Sequence, residues 1–147
     1  MSKTYINAAL RREVVDRAGG CCEYCLFNTE DKGIDFAIDH IIAEKHGGAT
    51  QSDNLCLTCY WCNSYKGSDI SSVDWDYDKS IVPLFNPRQQ QWEDHFRLDG
   101  ALFIPLSPPG RVTVFLLHLN ATESIQERHL LIALGVYPCS AADVRQK

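Results

Sequence analysis

Leu10, Val14 and Ala18 recur every fourth residue, the spacing of one helical stripe, and predict a helix over residues 7–18. Asn7 stands at its start as an N-cap, because its side-chain oxygen can accept from an early free N–H. Gly19-Gly20 supply the left-handed backbone that ends it. Residues 26–35 are polar and irregular. Phe36-Ala37-Ile38-Asp39-His40-Ile41-Ile42 is a short apolar run with β-branched members and predicts a strand. Gly47-Gly48 and Gln51-Ser52-Asp53 mark a loop. Asn54-Leu55-Cys56-Leu57 then returns as a second strand, which makes a hairpin with an enlarged loop. A short helix is expected over Cys62–Lys66, stopped by Gly67.

The second half is less regular. Residues 68–83 carry Ser, Asp and a proline and read as a surface traverse. Leu84-Phe85-Asn86-Pro87-Arg88 is turn-like, and Gln89–Phe96 allows a helical turn or two. Ala101–Leu106 is a strand candidate that Ser107-Pro108-Pro109-Gly110 breaks. Arg111–Leu119 fits either a strand or a buried helix and is taken as helix. Ser124–Leu134 predicts a helix with Ile125, His129/Leu130 and Ala133/Leu134 on one stripe and Gly135 as its stop. No internal repeat or low-complexity segment is present.

Length and composition narrow the class. A chain of 147 residues is one domain by the usual prior, and 45% apolar content suffices for a core. No segment is long and apolar enough to span a membrane. Met1-Ser2-Lys3-Thr4-Tyr5 is not followed by the apolar stretch of a signal peptide. A cytoplasmic location is the expectation, and there paired cysteines hold metal more often than they form disulfides.

The net charge of −5 counts against a large non-specific nucleic-acid binder, although local charge matters more than the sum. Lys3, Arg11, Arg12 and Arg17 lie near the N-terminus, Lys45 and Lys66 in the middle, and Arg88, Arg97 and Arg111 later. The N-terminal arginines read first as a solvated helix face. The acidic run Asp74-Trp75-Asp76-Tyr77-Asp78 could face away from a ligand.

The seven cysteines sharpen the picture. Cys22-Glu23-Tyr24-Cys25 and Cys59-Tyr60-Trp61-Cys62 are paired C-x-x-C turns, each placing thiolates at the reach of one metal. Four such thiolates leave no open position, so a zinc held by Cys22, Cys25, Cys59 and Cys62 would be structural. An iron centre has similar ligation. Cys21 and Cys56 could substitute as ligands but break the matched spacing. The odd count argues against a closed disulfide framework, and Cys139 reads as a plain, partly buried thiol.

Chemistry must then lie between the pairs. Phosphodiester hydrolysis needs an activated water, a cation on the phosphate oxygens and rigid geometry. His40 can serve as general base, since imidazole titrates near neutral pH. Asp39 and Asn63 offer hard oxygen ligands suited to magnesium or manganese. Asn54 can hydrogen-bond backbone across the hairpin and so orient His40. Singly, each of these residues is more often a strand or turn residue.

The ordered set Asp39-His40-Ile41-Ile42, His46-Gly47-Gly48, Asn54-Leu55, Cys59-x-x-Cys62-Asn63 and Lys66-Gly67, framed by the cysteine pairs, resembles the HNH endonuclease family. The resemblance covers residues 8–70. It implies an α+β protein: a small ββα-metal core with a pair of zinc knuckles, an N-terminal helix and a mixed α/β extension over residues 71–147 packed on the core. It also implies His40 as base, Asn54 as orienting residue, and Asn63 at a third signature position where many relatives carry histidine. Asp39 would be the other ligand of the catalytic cation. His46 and Lys66 would lie near the DNA backbone, or be surface residues. Tyr24, Tyr60 and Trp61 read as packing around the knuckles. The segment from Leu84 through Trp92, His95 and Phe96 to Gly110-Arg111 resembles an extension of some bacterial members. It reads as a cap on a small core, or as a groove shaped by Arg88, His95 and Arg111.

These features predict a metal-dependent endonuclease acting on DNA, leaving 5′-phosphate and 3′-hydroxyl ends as the resemblance implies. The rival is a non-catalytic zinc module that binds nucleic acid or protein. The co-occurrence of Asp39, His40, Asn54 and Asn63 favours the enzyme, and the acidic net charge favours the rival. A protein partner remains open.

Overall fold

The computed structural model describes residues 4–29 and 36–140. Lys3 and the part of the irregular stretch beyond Thr29 lie outside the described residues. The first helix, α1, spans Ala8–Ala18. Asn7 caps it by accepting from the Leu10 N–H at 2.8 Å, and Gly19 ends it at φ 64°. Its inward residues Val14 and Ala18 pack with Leu55 and Leu57 in a small buried cluster.

Strands β1 (Phe36–His40) and β2 (Leu55–Cys59) pair antiparallel, with His40 opposite Leu55 and Asp39 opposite Cys56. Helix α2 follows at once over Tyr60–Lys66. Cys59 is its N-cap: the sulfur accepts from the Cys62 N–H at 3.5 Å. The cysteine turn and the helix start are thus one structure, which is why the helix begins before Cys62. These elements give the hairpin-plus-helix order expected from the sequence.

Residues 68–83 are not a plain traverse. They hold a small hairpin of β3 (Ser71–Val73) and β4 (Ile81–Pro83). Its turn includes Asp74, which is buried against Arg111 with Oδ2 2.9 Å from Nη2. The acidic run therefore does not face outward as a block. A short helix α3 (Trp92–His95) leads straight into β5 (Phe96–Asp99), which pairs with β6 (Leu102–Pro105). Strand β5 is absent from the sequence pattern, because Phe96-Arg97-Leu98-Asp99 also suits the end of a helix.

Ser107-Pro108-Pro109-Gly110 ends β6, as expected, but it also starts α4 (Pro108–Leu116). Ser107 caps this helix through the Gly110 N–H at 3.0 Å, and proline is well suited to the first helical positions. The last helix, α5, spans Thr122–Ala133. Its inward residue is Arg128, fully buried, while Leu130 and Leu134 are exposed. The aliphatic stripe expected there is thus incorrect. Arg128 displaces it by donating to Ala101 O at 2.7 Å and Leu119 O at 2.5 Å, bonds no aliphatic side chain could make.

The main buried cluster runs from the cysteine turns, through Phe85, Trp92, Phe96 and Phe103, to Tyr137. Trp92 Nε1 donates to Tyr24 O at 3.0 Å, and Tyr137 Oη to Cys25 O at 2.7 Å. The backbone of the first cysteine turn is thus held by side chains from the second half of the chain. Among the described residues, no helix is long and apolar enough to cross a membrane.

Candidate active site

The sulfur atoms of Cys22, Cys25, Cys59 and Cys62 lie within 4.8 Å of one another, all buried. Cys25 and Cys59 Sγ are 3.5 Å apart. Tetrahedral bonds of about 2.3 Å to zinc need four sulfurs clustered at this scale, so the set fits a structural zinc. Cys56 stays outside it: its side chain is buried beside Tyr24, with Sγ 3.9 Å from the phenol oxygen.

Cys21 and Cys139 are not free thiols. They form a disulfide across a sequence separation of 118. This corrects the expectation for Cys139, and spacing along the chain could not show it. The Cys139 N–H donates to Leu26 O at 3.0 Å, which docks the C-terminal segment beside the first cysteine turn.

Asn54 closes the hairpin loop. Its Oδ1 accepts from the Ile42 N–H at 2.9 Å, and its Nδ2 donates to Ile42 O and Ala49 O, each at 2.9 Å. Both amide N–H groups and one lone pair of Oδ1 are spent on backbone, and the strand end carrying His40 is fixed. Gly48 is required for this closure. A Cβ there would sit 1.7 Å from Ile42 O and 2.8 Å from Asn54 Nδ2.

His40 is 4% exposed. Its Nε2 lies 2.8 Å from Thr50 Oγ1 and 3.4 Å from Glu44 Oε1. Neither partner stands out in the sequence, because both come from loop positions that only closure of the hairpin brings to the ring. Asp39, the preceding residue, extends to the other face of the strand, as regular alternation requires. The unbroken register holds no bulge that would bring both side chains to one face.

Asp39 instead meets Lys66. The two charged groups are 3.2 Å apart, and Lys66 Nζ also donates to His40 O at 3.1 Å. Lys66 is 2% exposed, which corrects the reading of an exposed lysine near a DNA backbone. The helix α2 lies against the hairpin, and Lys66 is on its inner face. Burial pushes the Asp39 carboxyl above its ordinary value, and the Lys66 ammonium opposes this. Asp39 Oδ2 is buried without an aligned hydrogen-bond donor. Carboxylate oxygens are hard ligands of the kind a divalent cation takes, and here Oδ2 also faces the Lys66 ammonium. Asn63 lies three residues before Lys66 on α2, hence on a neighbouring position of the same helix surface, and is half-buried.

His46 is exposed on the loop, with Nε2 3.1 Å from Ser68 O. Tyr24 is fully buried, as expected of packing. Tyr60 and Trp61 are not: they are 52% and 58% exposed, in edge contact with each other. Arg17 is more than a solvated charge. It donates to Ser52 Oγ, Ser52 O and Leu55 O at 2.8, 3.0 and 2.9 Å, which ties α1 to the start of β2. Arg88 pairs with the buried Glu23 of the first cysteine turn, and Glu23 Oε2 accepts from the Leu57 N–H at 2.9 Å. Arg17, Glu23 and Arg88 line a cleft of about 660 Å³. His95 bonds Ser107 Oγ at 2.5 Å, and burial holds its imidazole below the ordinary value.

Residues 22–69 match the family model of the HNH endonucleases. The matched stretch takes in the cysteine turns, the hairpin and α2, and the family it is similar to is one of nuclease-type function. No curated protein and no solved structure matches the chain.

Proposed function

We propose that this protein is a metal-dependent endonuclease that hydrolyses DNA phosphodiester bonds. The observation that carries the reading is the locked hairpin end. Asn54 and Gly48 close the loop on backbone atoms, and the buried His40 ring is held where the strand stops. A packing histidine would not need a loop spending a whole asparagine side chain on its approach.

In this mechanism His40 takes a proton from water, and the water oxygen adds to phosphorus as the 3′-oxygen leaves. A 5′-phosphate and a 3′-hydroxyl result. Asp39 and Asn63 would hold a magnesium or manganese ion, which supplies charge neutralisation at the phosphate; because Asp39 and His40 point to opposite faces of β1, one of the two would act through water. Lys66, beside the Asp39 carboxylate, opposes the burial that favours its protonated form. His46, on the open side of the loop, would meet the DNA backbone. The four-cysteine zinc has no chemical step; it fixes the turn from which α2 starts.

The test is nicking of supercoiled plasmid DNA with magnesium or manganese, against an EDTA control and against His40→Ala. Cleavage that requires the added ion and His40 supports the reading. DNA binding without cleavage by a zinc-loaded, folded preparation would replace it with a binding module.

A further inference from the structure

We propose that Thr50 and Glu44 are positioning residues that hold the His40 ring with its proton on Nε2, leaving Nδ1 as the basic nitrogen. The inference rests on the reading of His40 as general base and says which atom of the ring acts.

The geometry is a closed triangle. His40 Nε2 lies 2.8 Å from Thr50 Oγ1. Thr50 Oγ1 donates to Glu44 Oε1 at 3.2 Å. Glu44 Oε1 is itself 3.4 Å from His40 Nε2. A hydroxyl has one proton to give and lone pairs to accept. Thr50 gives its proton to the carboxylate, so toward the imidazole it can only accept. An ionised carboxylate is an acceptor only. Both neighbours of Nε2 therefore ask it for a proton. A bare lone pair at Nε2 would face two acceptors, whereas an N–H there satisfies both. In the neutral ring the lone pair is then at Nδ1.

The loop is built to make this triangle. Glu44 begins a single helical turn, Glu44–His46. The His46 and Gly48 N–H groups both close on Ala43 O, at 2.9 and 3.1 Å. Asn54 fixes the far side through Ala49 O, the residue before Thr50. The asparagine that staples the hairpin thus also places the hydroxyl on the ring. The Glu44 side chain is 34% exposed, so it can remain ionised at modest cost. Fixing a tautomer through the second nitrogen is a general way to orient an imidazole.

The test combines a spectrum with a rate. Protein labelled with ¹⁵N-histidine, without added divalent ion, reports the His40 tautomer by NMR, assigned by loss of the signal in His40→Gln. The wild type is expected to show the Nε2–H form. Thr50→Val and Glu44→Gln are expected to mix the tautomers. They should lower kcat for plasmid nicking by about 10- to 100-fold, the range typical when an orienting partner is removed, with KM little changed. Thr50→Ser keeps the hydroxyl and should restore both spectrum and rate. Zinc content and unfolding midpoint identify any variant that fails to fold. An Nδ1–H ring in the wild type overturns the proposal, as does an unchanged tautomer and rate in both variants. If the tautomer responds as expected while the wild-type protein nicks no DNA, the placement of the proton stands and the endonuclease reading falls.

Discussion

Lys66 Nζ sits 3.2 Å from Asp39 Oδ2, and both groups are inside the protein. The same ammonium donates to the carbonyl of His40. One buried cation thus holds two consecutive residues of the strand from the helix that follows it. A lysine at the end of a short helix ordinarily reads as a solvated terminus. Here the helix leans on the hairpin, and the side chain turns inward.

Lys66→Met should therefore destabilise the fold by about 3–5 kcal/mol at neutral pH, since it leaves a buried carboxylate without its counter-charge. Burial already pushes the Asp39 carboxyl up, and Lys66 restrains it. Without Lys66 the folded-state value rises further above the unfolded one. A carboxyl with a raised folded value favours the folded state when protonated and loses that contribution as pH rises through it. The deficit of the variant should thus be small in acid and grow toward neutrality. Urea unfolding across pH, without added magnesium or manganese, measures it; a deficit that shrinks with rising pH would contradict the account.

Cys59→Ser should abolish folding or leave an insoluble protein. Cys59 offers one of four clustered sulfurs and also caps α2, and structural zinc supplies folding energy directly. Elemental analysis is expected to find one zinc per chain in the wild type. A folded preparation with neither zinc nor iron would disprove the assignment.

Gly48→Ala places a Cβ against the Ile42 carbonyl and the Asn54 amide. Forced overpacking of this kind costs about 1–3 kcal/mol. The Asn54 bonds should break locally, so nicking should fall while zinc content stays at the wild-type level. Hydrogen exchange of the Ile42 N–H reads the staple directly, and wild-type protection in the variant would show that the loop adapts.

Cys139→Ser, or reduction, opens a link across a sequence separation of 118. The expected loss is about 2–4 kcal/mol, because closing a long loop restricts the unfolded chain. Denaturant unfolding with and without reductant checks it. Zinc content must be followed in the same samples, since Cys21 adjoins the ligand Cys22.

His40→Ala should lower the nicking rate by roughly 10²- to 10⁴-fold, the usual contribution of a general base, with zinc content and DNA affinity nearly unchanged. Asp39→Asn and Asn63→Ala should instead raise the magnesium or manganese concentration needed for half-maximal rate. Titrating the metal separates the two defects. Equal rates for wild type and His40→Ala would remove His40 from the mechanism.

Residue order alone determined the features that repeat locally. The four-residue stripe of α1, its Asn7 cap, the glycine stops and the paired cysteine turns each act over a few residues, and a short window of sequence contains the whole cause. The hairpin and the bonding of Asn54 to backbone across it were readable for the same reason. Their partners are near in the chain, and the loop between them carries its own glycines.

Only the tertiary structure decided the contacts that join distant positions. Lys66 turned inward because α2 packs on β1, and Arg128 displaced an aliphatic face because it could reach two carbonyls. Cys139 met Cys21 because the C-terminal segment docks on the Leu26 carbonyl. Strand β5 formed because β6 lies beside it. In each case the free energy comes from a partner dozens of residues away, or from burial of a group that the local pattern assigns to solvent. Periodicity records which residues can share a face; what the face meets is settled only when the chain has closed upon itself.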